Sequence, residues 1–136
     1  MTNIVLDTNI LISAVLTPVG NPAKIIALVS RTKEVQIFYS SAILKEYVTV
    51  LSYERLKITA ETQSAIIGNL RAFGVLIEPT VSTIPLPDET DRIFYDAAKS
   101  SSSFLITGNI KHYPNDPDII TPADFLNRGL SDYRTR

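Results

Sequence analysis

An aspartate closes the first apolar run of this chain: Ile4-Val5-Leu6 leads straight into Asp7, with Thr8 and Asn9 behind it. A short unbroken aliphatic run reads as a strand buried on both faces, and ligands of open α/β sheets gather at the carboxyl ends of such strands. Taken alone, Asp7 or Thr8 could equally do no more than cap a following helix. The pattern recurs. Val35-Gln36-Ile37-Phe38-Tyr39 precedes a helical segment carrying Glu46, and Phe104-Leu105-Ile106 ends in Thr107-Gly108-Asn109. Between them Asp88-Glu89-Thr90-Asp91 opens a further helix. Carboxylates packed in one cleft repel each other unless they share a cation, and hard, oxygen-only ligands suit Mg²⁺ or Mn²⁺. A cation so held can orient a phosphate, stabilise its developing charge and activate water.

Those acids meet only if the intervening elements return each strand end to one edge. Thr8 to Leu16 has the composition of a buried helix that stops before Thr17-Pro18-Val19-Gly20. A second helix follows, with Asn21 as its N-cap, Pro22 in the first turn and an apolar face of Ile25, Ile26, Leu28 and Val29. After the strand at 35–39, Ser40-Ser41 offers the cap for a helix with Ile43, Leu44, Tyr47, Val48 and Leu51 at helical spacing. Glu46 lies in its second turn, where a solvated glutamate is the ordinary outcome.

Thr59 to Phe73 reads as another helix closed by Gly74 at the C′ position, and Val75-Leu76-Ile77 as a further all-apolar strand. Pro79, Pro85 and Pro87 mark an extended connection. Asp88 as N-cap and Asp91 in the first turn introduce the helix Arg92 to Ser100, whose buried face is Ile93, Phe94, Ala97 and Ala98. On that spacing Asp91 lies near the buried face and Asp96 points elsewhere. Lys111-His112-Tyr113-Pro114 is a loop, Ile119-Ile120 a short last strand, and Thr121-Pro122-Ala123-Asp124 the start of a helix buried through Phe125 and Leu126. The alternation predicts an α/β domain with three α/β/α layers and a mainly parallel central sheet. Right-handed crossovers then carry the turns after residues 6, 38 and 106 to one edge, which makes Asp7, Glu46, Asp91 and Asn109 candidates for one cluster.

Composition narrows the chemistry further. The 136 residues suffice for one domain with a real core, expected over 1–128, with 129–136 as a flexible tail. With no cysteine and one histidine, His112, thiolate metal sites and multi-histidine zinc sites are excluded. A net charge of −1 argues against coating nucleic acid by bulk electrostatics, though not against gripping a few phosphates through bound metal ions. No apolar run approaches the roughly 20 residues of a membrane span and no signal peptide is evident, so a cytoplasmic protein away from membranes is expected.

Leu6-Asp7-Thr8-Asn9, the helical Glu46, Pro87-Asp88-Glu89-Thr90-Asp91 and Thr107-Gly108-Asn109-Ile110-Lys111-His112-Tyr113-Pro114 together resemble PIN-domain proteins. The resemblance runs from residue 4 to about Leu126, and is nearest to the VapC-like ribonuclease toxins of toxin–antitoxin systems. It implies a metal-dependent endoribonuclease that hydrolyses RNA with a metal-activated water. Asp7, Glu46 and Asp91 would be the main metal-binding and catalytic acids. The fourth acidic position holds Asn109, whose carbonyl still ligates but carries no charge. Thr8, Asn9, Asp88 and Thr107 would support the site, and Lys111 and His112 would meet RNA phosphate or a partner. An antitoxin protein and a homodimer are the implied partners. Asn109 keeps one alternative open: a catalytically weak PIN fold that binds nucleic acid or protein. A receiver-type domain would need adjacent acids after an early strand, and a haloacid-dehalogenase-type phosphatase an Asp where Asn9 stands. Neither a glycine-rich phosphate loop nor a dinucleotide fingerprint occurs.

Overall fold

The computed structural model of the protein describes residues 1–128, so the expected tail over 129–136 lies outside the described residues. Its centre is β1 (Thr2–Leu6), where Ile4, Val5 and Leu6 are all fully buried. Burial on both faces explains the unbroken aliphatic run, because β1 pairs in parallel with β2 (Val35–Tyr39) on one side and β4 (Phe104–Ile106) on the other. β3 (Val75–Leu76) and β5 (Ile119–Ile120) complete an all-parallel sheet in the order β3-β2-β1-β4-β5. Helices α1 (Thr8–Leu16), α2 (Asn21–Arg31), α3 (Ser41–Leu51), α4 (Ala60–Phe73) and α5 (Arg92–Ser101) lie in the crossovers of a three-layer α/β/α fold, and α6 (Pro122–Asn127) follows β5 and packs against α2. No single helix among the described residues is long and apolar enough to cross a membrane.

Parallel pairing decides where the functional groups go. Leu6 stands opposite Ile106 in the register, and the Asp7 amide donates to the Ile106 carbonyl at 3.0 Å. The residues that leave β1 and β4, Asp7 and Thr107, are therefore neighbours at one edge. Ser40 caps α3 as its type predicts, its hydroxyl accepting from the Ile43 amide at 3.2 Å. Thr59 and Thr121 do the same for α4 and α6.

Several local expectations are corrected. Gly20, not Asn21, occupies the cap of α2 and supplies no side-chain bond, so Asn21 is the first helical residue. Gly74 follows α4 with φ of −87°, an extended conformation open to any residue. Space is what requires glycine there: a Cβ would lie 2.5 Å from the Leu70 carbonyl oxygen and 2.9 Å from the Tyr39 ring. β3 is shorter than Val75-Leu76-Ile77 and largely uncovered, because an edge strand pairs only with β2. The helix after Asp88 begins with a 3₁₀ turn over Glu89–Asp91. Asp96 is buried rather than turned outward, since α5 packs against β1, β2 and β4 on one side and α3 on another, covering 94–98 almost all round.

Candidate active site

Asp7 sits where β1 gives way to α1, and its carboxylate is held from three sides. Oδ2 accepts from the buried Thr107 hydroxyl at 2.9 Å and from the Tyr113 phenol at 3.2 Å. Oδ1 receives only the Asn9 amide at 3.5 Å, the outer limit of a hydrogen bond. The capping role and the site role thus coexist in one side chain, with the two oxygens unequally engaged. Thr107 Oγ1 in turn accepts from the Asn109 amide at 3.0 Å, which shapes the turn after β4.

Glu46 joins this edge through α1. The Thr8 hydroxyl donates to Glu46 Oε2 at 3.0 Å, linking the first residue of α1 to the second turn of α3. One residue on, Tyr47 is fully buried; its phenol donates to the Leu6 carbonyl, and its ring stacks on Phe94 of α5 at 6.4 Å between centroids. A single tyrosine therefore fastens together the three elements that carry Asp7, Glu46 and Asp91. Burial first, then the charges of Asp7 and Glu46, push its hydroxyl far above the usual phenol range, so it remains a donor.

Asp91 lies at the junction of the 3₁₀ turn and α5 and caps neither. Asp88 caps the turn instead, accepting from the Thr90 amide at 3.0 Å and the Thr90 hydroxyl at 2.7 Å; those bonds hold its own carboxyl below the usual range. The Asp91 side chain is only 15% exposed, and its Oδ2 is buried with no hydrogen-bond donor. His112 Nδ1 stands 3.5 Å from that oxygen, within ion-pair range but not as a hydrogen bond. Burial, followed by repulsion from Asp7 and Asp88, pushes the Asp91 carboxyl up to about 6; Glu46 adds a little and His112 opposes. Asp91 thus lies within electrostatic range of both Asp7 and Glu46.

The remaining expected residues stand further out. Asn109 is exposed and is tied to the site through its backbone amide. Lys111 and His112 are exposed on a 3₁₀ turn over Ile110–His112, beside Asp91 in the case of His112. Asn9 is exposed at the start of α1. Asp96 is buried on α5 with Oδ1 unpartnered. Tyr113 and Tyr47 are the members that residue-type reasoning missed. For Tyr113 the available signal was an aromatic residue inside an otherwise polar loop; for Tyr47, its adjacency to Glu46.

Among the described residues no three His, Asp or Glu side chains are already gathered as a ligand set. The donor chemistry nonetheless fits a hard divalent cation. All candidate ligands are oxygens, and the bare Asp91 oxygen is a buried acceptor whose missing partner a cation would supply.

The family model described as PIN domain matches residues 3–111. A curated relative from Methanocaldococcus jannaschii, Uncharacterized protein MJ1680, is 33% identical over 124 residues, covering 89% of this chain and 75% of that protein. Among solved structures, the chain is similar to one from the crystal structure of VapBC2 from Rickettsia felis bound to a DNA fragment from their promoter. That match has a TM-score of 0.55 at 18% identity and covers 88% of this chain and 97% of the other.

Proposed function

This chain belongs to the PIN-domain family, and from that premise we propose that the acids at its sheet edge form the centre of a metal-dependent endoribonuclease. The observation that carries the reading is Asp91 Oδ2, a buried carboxylate oxygen with no donor, in electrostatic reach of Asp7 and Glu46. Leaving such an oxygen unpaired costs stability, and a bound cation is a partner that would remove the cost. Asp7, Glu46 and Asp91 would hold Mg²⁺ or Mn²⁺, with the Asn109 carboxamide as a neutral fourth oxygen donor. The bound ion supplies charge neutralisation at the phosphodiester and acidifies water. Thr107 and Thr8 keep the Asp7 and Glu46 carboxylates in one orientation each. Lys111 and His112, exposed on the turn beside Asp91, are the groups able to meet RNA phosphate.

The same reading makes the chain the toxin of a cytoplasmic toxin–antitoxin pair that works as a homodimer. Likeness to a chain of the Rickettsia felis VapBC2 assembly supports searching for an antitoxin partner. A second reading, a PIN fold that binds without cutting, draws support from Asn109 at the fourth position. A cleavage assay on a panel of single-stranded and looped RNAs separates the two. Cutting with Mg²⁺ or Mn²⁺ that stops with a chelator and with Asp91→Asn supports the nuclease. RNA left intact under every metal, with a partner still bound, supports the binding module.

A further inference from the structure

Tyr113 lies beyond the residues matched by the family model, yet its ring is buried and its phenol reaches back across 106 positions to Asp7. The path is built into the loop. The Thr107 hydroxyl accepts from the Asn109 amide, the His112 amide donates to the Asn109 carbonyl at 3.0 Å, and the Tyr113 amide donates to the Ile110 carbonyl at 3.1 Å. These bonds turn the chain after β4 so that a residue from a polar loop returns to the sheet edge. Both hydroxyl donors to Asp7, Thr107 and Tyr113, engage the same oxygen, Oδ2. Oδ1 keeps only the long contact from Asn9.

We infer that Tyr113 is a positioning residue: with Thr107 it pins Asp7 Oδ2, fixes the carboxylate rotamer, and leaves Oδ1 with lone pairs free for a cation. The inference rests on the reading of Asp7 as a cation ligand. A carboxylate free to rotate would present either oxygen and would lose ordering entropy when an ion bound; one pinned by two hydroxyls has already lost it. Groups that orient a ligating side chain in this way affect metal affinity by roughly 10–100-fold. Since Thr107 remains when Tyr113 is altered, the lower end of that range applies.

The test is Mn²⁺ binding by calorimetry, with thermal stability measured alongside, in the parent, Tyr113→Phe, Thr107→Val, Asp7→Asn and the pair Tyr113→Phe with Asp7→Asn. Phenylalanine keeps the ring and removes only the hydroxyl. The expected result is Mn²⁺ affinity lower by about tenfold in Tyr113→Phe, a metal-free melting temperature lowered less than in Thr107→Val, and no further loss when Tyr113→Phe is added to Asp7→Asn. A purely structural role would lower the metal-free melting temperature and leave affinity unchanged, which overturns the inference. So would a parent that binds no Mn²⁺, or a Tyr113→Phe effect that persists in full without Asp7. A parent that binds Mn²⁺ through Asp7 with the predicted Tyr113 dependence, yet cuts no RNA, upholds the inference and overturns the ribonuclease reading alone.

Discussion

Asp7 and Asp91 are carboxylates within electrostatic range of each other, and their surroundings are opposite. Asp7 caps a helix and accepts two hydroxyls on one oxygen. Asp91 caps nothing, carries a buried oxygen with no donor, and has a carboxyl pushed up to about 6. The difference comes from what precedes each helix. Asp7 follows a strand directly, so its carboxylate is the nearest acceptor for the first amides of α1. Before α5 a 3₁₀ turn intervenes and Asp88 serves it, which releases Asp91 from capping. An acid at a helix start is therefore not always spent on the helix. One of these two is fixed in place, and the other is held at an electrostatic cost that an arriving cation would relieve.

The largest effect expected from breaking this contrast is on activity. Asp91→Asn and Asp7→Asn should each lower metal-dependent RNA cleavage by at least about 100-fold, because a ligand should matter no less than the groups that orient it. Initial rates at saturating Mn²⁺ measure this, and a variant cutting at the parent's rate would remove its residue from the site.

Stability without metal should separate the two acids by sign. Thr107→Val removes a donor from the buried Asp7 carboxylate and an acceptor from the Asn109 amide, and should destabilise by about 1–3 kcal/mol in denaturant unfolding. Asp91→Asn should do the reverse and stabilise the metal-free protein near pH 7 by about 1 kcal/mol, a figure reduced for partial solvent screening. The sign follows from linkage. The Asp91 carboxyl rises from 3.8 to about 6 on folding, so its ionised form opposes the folded state. The penalty is absent below 3.8, grows as pH rises to about 6, and stays constant above that. The stabilisation by Asp91→Asn should accordingly fade as pH falls through this window. A stability difference independent of pH would contradict the raised carboxyl.

The smallest effect concerns Asn109. Replacing its neutral carboxamide, Asn109→Asp adds a charge at the exposed turn after β4 and should lower the Mn²⁺ concentration needed for half-maximal cleavage by roughly threefold, a modest gain expected of a solvent-screened charge. Unchanged metal dependence would place Asn109 outside the ligand set.

How far the sequence revealed this arrangement depended on whether the signal was local. Ile4-Val5-Leu6 and Phe104-Leu105-Ile106 are legible as central strands because a strand paired on both edges and covered on both faces favours an unbroken apolar run, although the equally apolar Val75-Leu76-Ile77 lies at the uncovered edge of the sheet. Parallel topology then delivers Asp7 and Thr107 to one edge without further information. Ser40 and Thr121 cap as their residue types predict. The failures share a cause in contacts distant along the chain. Gly74 is explained by Tyr39 and Leu70, which no turn rule reveals. Asp96 is buried because α5 packs against both the sheet and α3, contacts that single-helix periodicity does not reveal. Tyr113 reads as a loop residue until the turns at 107–113 bring it back to Asp7. Asp91 was legible as an acid near the buried face, but its missing donor depends on the 3₁₀ turn that Asp88 caps.

The central claim is that Asp7 and Asp91 belong to one cation site, the first already oriented and the second awaiting the charge. The most direct measurement is an anomalous difference map from crystals soaked in Mn²⁺ near neutral pH. The account predicts a peak about 2.0–2.5 Å from a carboxylate oxygen of both Asp7 and Asp91, with Oδ1 the Asp7 atom involved. A peak elsewhere, or none at Mn²⁺ concentrations that support RNA cleavage, would contradict it.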